Sequence, residues 1–169
     1  MPPDRALPDC PLCAAAGGEL LWRDERLRVI LADEPLYPGF TRVVWNSHAR
    51  ELSDLGDADR AWLFEVLVRV ERVMRDVFAP AKINLASLGN QVPHLHWHLI
   101  ARWPDDAHFP APVWAGTTPQ RVAAAAARRN AVAQLLPAYR EALQRAFGPA
   151  STVDPGADAA RGPGGAPPA

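Results

Sequence analysis

The chain has 169 residues, 49% of them hydrophobic and 22% charged, with a formal net charge of -1. That is enough apolar content for one packed domain and too little field to collect nucleic acid or an anionic membrane surface. No stretch approaches the ~18 consecutive apolar residues of a membrane span. The N-terminus MPPDRALPDC lacks the basic-then-apolar plan of a secretory signal, so a cytoplasmic protein is expected. In that reducing setting Cys10 and Cys13 read as a metal clip or a redox pair before they read as a disulfide.

After Cys10-Pro11-Leu12-Cys13 comes a small-residue turn, Ala14 to Gly18. Leu20 to Arg23 and Leu27 to Leu31 are short β-prone runs joined through Asp24-Glu25-Arg26, which predicts a hairpin. Pro35 and Pro38 mark a loop, and Phe40 to Trp45 is a third strand leading to His48. The period then changes. Leu63, Leu67, Val70, Met74 and Val77 recur at three- and four-residue spacing, which predicts a helix from Asp57 to Phe78 with Asp57 as its N-cap. Lys82 to Leu88 and His94 to Arg102 are two more strands around the turn Gly89 to Pro93.

Pro104 to Gly116 is a proline-rich loop expected to lie extended over the surface or a neighbour. Thr118-Pro119 opens an alanine-rich helix running to Phe147, which Pro137 should kink or divide. The fold class expected is α+β, with an antiparallel five-stranded sheet, a central helix and a C-terminal helix. Residues 1-148 form the domain, with a core from 10 to 103, and the Pro/Gly/Ala-rich stretch 149-169 is expected to be disordered.

The most informative segment is His94-Leu95-His96-Trp97-His98. Strand alternation puts the three imidazoles on one face. Two chemistries use such a row: a catalytic zinc on all three rings, or a neutral imidazole acting as nucleophile. Cys10 and Cys13 point to a closed Cys2His2 zinc site completed by His48 and His94, which leaves His96 and His98 for chemistry. A redox dithiol is the competing reading of the cysteines, without the βαβ context that would support it.

The run His94-Leu95-His96-Trp97-His98-Leu99-Ile100, approached through Gly89-Asn90-Gln91-Val92-Pro93, resembles the signature of the histidine triad family over about Cys10 to Arg102. The resemblance implies a homodimer that joins two sheets and binds a nucleotide near the triad. It implies nucleotidyl transfer onto His96, whose Nδ1 proton is held by the His94 carbonyl, with His98 stabilising the phosphoryl oxygens. It also implies that Gln91 lies near the leaving group and that Asp33, Asn84, Gly89 and Asn90 bind substrate. A distant relative, galactose-1-phosphate uridylyltransferase, is similar in gathering a C-x-x-C and two histidines around one structural metal.

Three positions depart from the family pattern. Phe40 stands where a buried histidine is usual, Trp45 where proline is usual, and Gln91 where Ser or Thr is frequent. The expected activity is hydrolysis of a nucleoside phosphoramidate or dinucleoside polyphosphate. The alternatives are a nucleotide-binding regulatory protein with weak or no catalysis, and a hydrolase with catalytic zinc on the histidine strand. His108 reads as a loop histidine, Trp103 and Trp114 as packing residues, and Arg69, Arg72 and Arg75 as a solvated helix face.

Overall fold

A computed structural model describes residues 6–148. The stretch 149–169, expected to be disordered, lies outside the described residues. The elements are a one-turn helix α1 (Pro11–Ala14), strands β1 (Glu19–Arg23), β2 (Leu27–Leu31) and β3 (Thr41–Trp45), helix α2 (Asp57–Phe78), strands β4 (Lys82–Ser87) and β5 (His96–Arg102), and helix α3 (Pro119–Phe147). The strands form one antiparallel sheet in the order β1-β2-β3-β5-β4.

The β1–β2 hairpin closes as its composition demands. Asp24 Oδ1 accepts from the backbone N–H groups of Arg26 and Leu27, each at 2.8 Å, so the side chain itself builds the turn. Trp62 of α2 donates its indole N–H to the other carboxylate oxygen at 2.7 Å, tying hairpin to helix. Between β2 and β3 the chain reverses through Gly39, whose φ of 78° suits glycine, and any Cβ there would stand 2.8 Å from the Phe78 ring.

One face of the sheet packs on both long helices. Val29, Val43, Leu99 and Ala101 meet Leu63, Leu67, Val70 and Met74 of α2, and Val132, Tyr139 and Leu143 of α3 close the same core. Each such side chain contributes about 1.5–3 kcal/mol on burial. The fully buried Tyr139 hydroxyl shares a hydrogen bond with Thr41 Oγ1 at 3.0 Å, so the core carries no orphan there.

Several expectations shift. The N-cap of α2 is Gly56, and Asp57 is the first helical residue, where its charge and that of Asp59 still favour the positive helix end. Strand β5 starts at His96, not His94, because Pro93 has no N–H to give and the His94 N–H bonds to the Val92 carbonyl at 2.8 Å. Helix α3 runs through Pro137 as one helix. The packing of Val132, Tyr139 and Leu143 on both sides of that residue offsets the lost hydrogen bond.

The loop after β5 does not lie loosely on the surface either: Asp106, Ala107 and His108 are buried, while Trp114 stays 73% exposed. Among the described residues no helix is long and apolar enough to cross a membrane.

Candidate functional site

The opposite face of the sheet carries the polar chemistry. Register fixes which residues share it: Arg28 sits across from Val44, Val44 from His96, and Arg42 from His98. Along β5 the same face continues through Ile100 to Arg102.

At one end of this face four ligand atoms converge. The Cys10 and Cys13 sulfurs and one ring nitrogen each from His48 and His94 all lie within 4.8 Å of one another. Cys10 Sγ is 3.3 Å and Cys13 Sγ 3.5 Å from His94 Nδ1, and Cys13 Sγ is 3.4 Å from His48 Nδ1. A tetrahedral zinc with Zn–S near 2.3 Å and Zn–N near 2.0–2.1 Å separates sulfur from nitrogen by about 3.5 Å. The residues therefore fit zinc in both donor chemistry and spacing.

The shell behind them agrees. His94 Nε2 donates to the Trp45 carbonyl at 2.7 Å, which leaves Nδ1 as the bare nitrogen facing the sulfurs. Burial pushes His94 down to about 4, keeping the ring neutral, and burial also raises the Cys13 thiol. Arg28 braces the knuckle from below: its Nη2 donates to the Leu12 carbonyl at 2.6 Å and its Nε to the Ala16 carbonyl at 3.0 Å. The α1 turn is too short to hold itself, and these bonds supply the partners its last carbonyls need.

Beside this cluster stand the other two histidines. His96 Nδ1 donates to the His94 carbonyl at 2.6 Å. A carbonyl can only accept, so the proton sits on Nδ1 and the Nε2 lone pair is free. The His98 ring lies next to it, centroids 4.8 Å apart. Phe40, in place of a histidine, packs edge-on against His98 at 5.2 Å, and His98 Nε2 is buried without a hydrogen-bond partner. Burial, then the neighbouring His96 and Arg42, push His98 down to about 4.

The remaining candidates separate. Gln91 and Asn90 are exposed in the turn before His94, with Gly89 half-buried beside them. Asn84 Oδ1 accepts from Arg102 at 2.7 Å. Arg102 is also held by Asp106 at 2.6 Å, and both are 3% exposed. Asp106 accepts in addition from the backbone N–H groups of His108 and Phe109. Burial works against the Asp106 charge, but Arg102 and these donors hold its carboxyl below the usual range. His108 is bonded to the Tyr37 hydroxyl, so this loop histidine belongs to a buried network.

Asp33 pairs with Arg129 at 2.6 Å in the wall of a cavity of about 390 Å³ between α3 and the loop after β2. None of the histidines lines that cavity. Sequence reasoning missed Arg28, Arg42 and the Tyr37–His108–Asp106–Arg102 network. A charged residue inside the apolar run Thr41-Arg42-Val43-Val44-Trp45 was the available signal for Arg42.

The sequence model of the HIT domain matches residues 16–105. The chain is 28% identical over 113 residues to an AP-4-A phosphorylase of Mycobacterium tuberculosis, covering 63% of this chain and 58% of that protein. It is 26% identical over 91 residues to the asymmetrical bis(5'-nucleosyl)-tetraphosphatase of Schizosaccharomyces pombe, covering 51% of this chain and 50% of that one. The chain thus spans only 50–58% of the length of these two curated relatives. A histidine triad protein of Bradyrhizobium japonicum superposes with a TM-score of 0.60 at 26% identity, covering 78% of this chain and 92% of that one.

The His98 environment has a measurable consequence. The folded ring titrates near 4, against an ordinary value of 6.5. Between those values the unfolded chain takes up a proton that the folded chain refuses, so stability present above pH 6.5 is lost as pH falls toward 4. His98→Gln removes that contribution. Its denaturation midpoint should fall less than the wild-type midpoint between pH 7 and pH 5, and parallel curves for the two proteins would contradict the assignment.

Proposed function

The chain belongs to the HIT domain family, and from that membership we propose that it is a nucleotide hydrolase working through a covalent nucleotidyl-histidine on His96. The observation that carries this is the His96 Nδ1 contact to the His94 carbonyl at 2.6 Å, which leaves Nε2 as a nucleophile. The substrate is a nucleoside phosphoramidate or a dinucleoside polyphosphate. Two matched relatives are named for work on dinucleoside tetraphosphates.

The Nε2 lone pair attacks the α-phosphorus, and the bond from phosphorus to the leaving group breaks with its electron pair going to that group. His98, neutral at physiological pH, donates a hydrogen bond to the phosphoryl oxygens as their charge grows. Water then attacks phosphorus and loses a proton to solvent, and the P–N bond breaks with its electron pair returning to Nε2. Gln91, proposed to lie near the leaving group, can donate an amide hydrogen bond but no acidic proton. Asp33, Asn84, Gly89 and Asn90 are the proposed substrate-binding positions. Asn84 and Asp33 must then exchange their contacts with Arg102 and Arg129 for the nucleotide. Cys10, Cys13, His48 and His94 hold a structural zinc that fixes the His94 backbone and therefore the His96 ring.

Catalytic zinc on the three-histidine row is the weaker reading, because the His94 ring faces the two sulfurs. The dimer expected of this family fits the β4 edge. That strand is last in the sheet, and Leu85, Phe64 and Val68 are each about 40% exposed, with Phe64 in ring contact with Trp97 next to β4.

Incubation with adenosine phosphoramidate or diadenosine tetraphosphate, followed by acid-quenched mass spectrometry, should give an adenylyl adduct on wild type. His96→Ala should give none and should turn over at least ~10³-fold more slowly with its fold intact. A fully active His96→Ala protein ends the nucleophile assignment. Metal removal is expected to lower the thermal midpoint by many degrees, in contrast to a protein that keeps its midpoint and loses only turnover, which is the mark of a catalytic ion. Leu85→Asp should shift a dimer to monomer by sedimentation, and an unchanged mass would move the interface elsewhere.

A further inference from the structure

Arg23 pairs with Arg28 at the β1 edge of the histidine face, and of the arginines nearer the histidines, Arg28, Arg42 and Arg102, two are structurally committed. Arg28 is 7% exposed and donates to the carbonyls of the cysteine knuckle. Arg102 is 3% exposed and locked onto Asp106 and Asn84. Arg42 differs. It lies directly across from His98, and facing Cβ atoms in an antiparallel pair are only about 4.5–5.5 Å apart.

Among the described residues its carboxylate partner is Glu34, reached through Nη2 at 3.1 Å, and both side chains are partly exposed, 25% and 38%. The Nε of Arg42 has no hydrogen-bond partner, and neither has Nε2 of His98 opposite. The guanidinium is held over the Phe40 ring, 5.4 Å from its centroid, and that ring abuts His98. A partly exposed ion pair of this kind is screened by water and holds its partners only weakly. It aims the fork without neutralising it against a polyanion, which would accept two of its donors at once.

We propose that Arg42 forms the subsite for the phosphates beyond the one attacked, so that the protein selects a polyphosphate leaving group over a neutral amine. The inference rests on the reading of His96 as nucleophile. The chemistry of the turn agrees with it. A polyphosphate departs with the electron pair of the broken P–O bond and needs no proton, whereas an amine must gain a proton as its P–N bond breaks, and Gln91 has none to give. No glycine-rich phosphate loop is present in the sequence to take those charges instead.

The test compares the zinc-loaded full chain with Arg42→Gln and Arg42→Lys in two measurements. In the first, calorimetry gives the affinities for adenosine 5'-tetraphosphate and AMP. Wild type should prefer the tetraphosphate by about tenfold or more, Arg42→Gln should bring the two within about twofold, and Arg42→Lys should lie between, keeping charge without the fork. In the second, kcat/KM for diadenosine tetraphosphate should drop ~30-fold in Arg42→Gln while that for adenosine phosphoramidate drops less than ~3-fold.

A tetraphosphate preference that survives Arg42→Gln, or equal losses on the two substrates, overturns the subsite. A wild type that turns over neither compound yet keeps an Arg42-dependent binding preference defeats the nucleophile reading and supports the subsite.

Discussion

Two backbone carbonyls govern the chemistry of this face. Trp45 offers its carbonyl to His94 Nε2 and His94 offers its own to His96 Nδ1. Because a carbonyl cannot donate, each contact decides which ring nitrogen is bare, and the two decisions come out opposite. His94 presents Nδ1 to the two sulfurs, and His96 presents Nε2 to the open face. One short stretch of backbone thus sorts neighbouring imidazoles into one ring with a bare Nδ1 toward the sulfurs and one with a bare Nε2 toward the open face. The Trp45 N–H also bonds to the Leu95 carbonyl at 3.1 Å, and Leu95 N–H bonds to the Ala49 carbonyl at 2.7 Å, which locks the turn carrying both rings.

The departures at positions 40 and 45 make sense in this frame. Proline and tryptophan both have a main-chain carbonyl, so Trp45 can hold His94 as well as proline would, and the indole fills the core on the other side of the strand. Phe40 is not an equivalent exchange. A histidine could hydrogen-bond toward the triad, whereas a phenyl ring only presses its edge on His98 and leaves Nε2 unpartnered. An orphaned buried nitrogen costs about 1–3 kcal/mol when nothing satisfies it. Under the proposed function, a phosphoryl oxygen is the group that would satisfy that nitrogen.

What the sequence disclosed divides along the distance over which information acts. Helix α2 was legible from the spacing of Leu63, Leu67, Val70 and Met74, and the five-strand order from short apolar runs between turn residues. The Cys10–Cys13 spacing with His48 and His94 marked a metal cluster because thiolate and imidazole chemistry is narrow. Arg42 was not legible, because its meaning comes from lying opposite His98, a pairing between distant strands that no local pattern states. Pro137 does not divide α3 for a related reason: helix propensity is local, and the tertiary packing of Val132, Tyr139 and Leu143 outweighs it. The prolines of the loop after β5 suggest an extended course over the surface or a neighbour, yet Asp106 turns its first part inward by collecting Arg102 and three backbone donors.

Arg28, Arg42 and Arg102 on the polar face show how one residue type is assigned different work by its surroundings. Arg28 has only carbonyls and an amide oxygen to bond, no carboxylate, so its charge is spent on peptide dipoles, and burial lowers its basicity from the ordinary value. Arg102 meets a full carboxylate in an equally dry place, and such a pair is costly to break because either partner alone would be an uncompensated buried charge. Arg42 meets its carboxylate where water can screen it, and there the pair is cheap to rearrange. A near-neutral chain can therefore still carry a cation, Arg42, in a place where solvent keeps the exchange of partners easy.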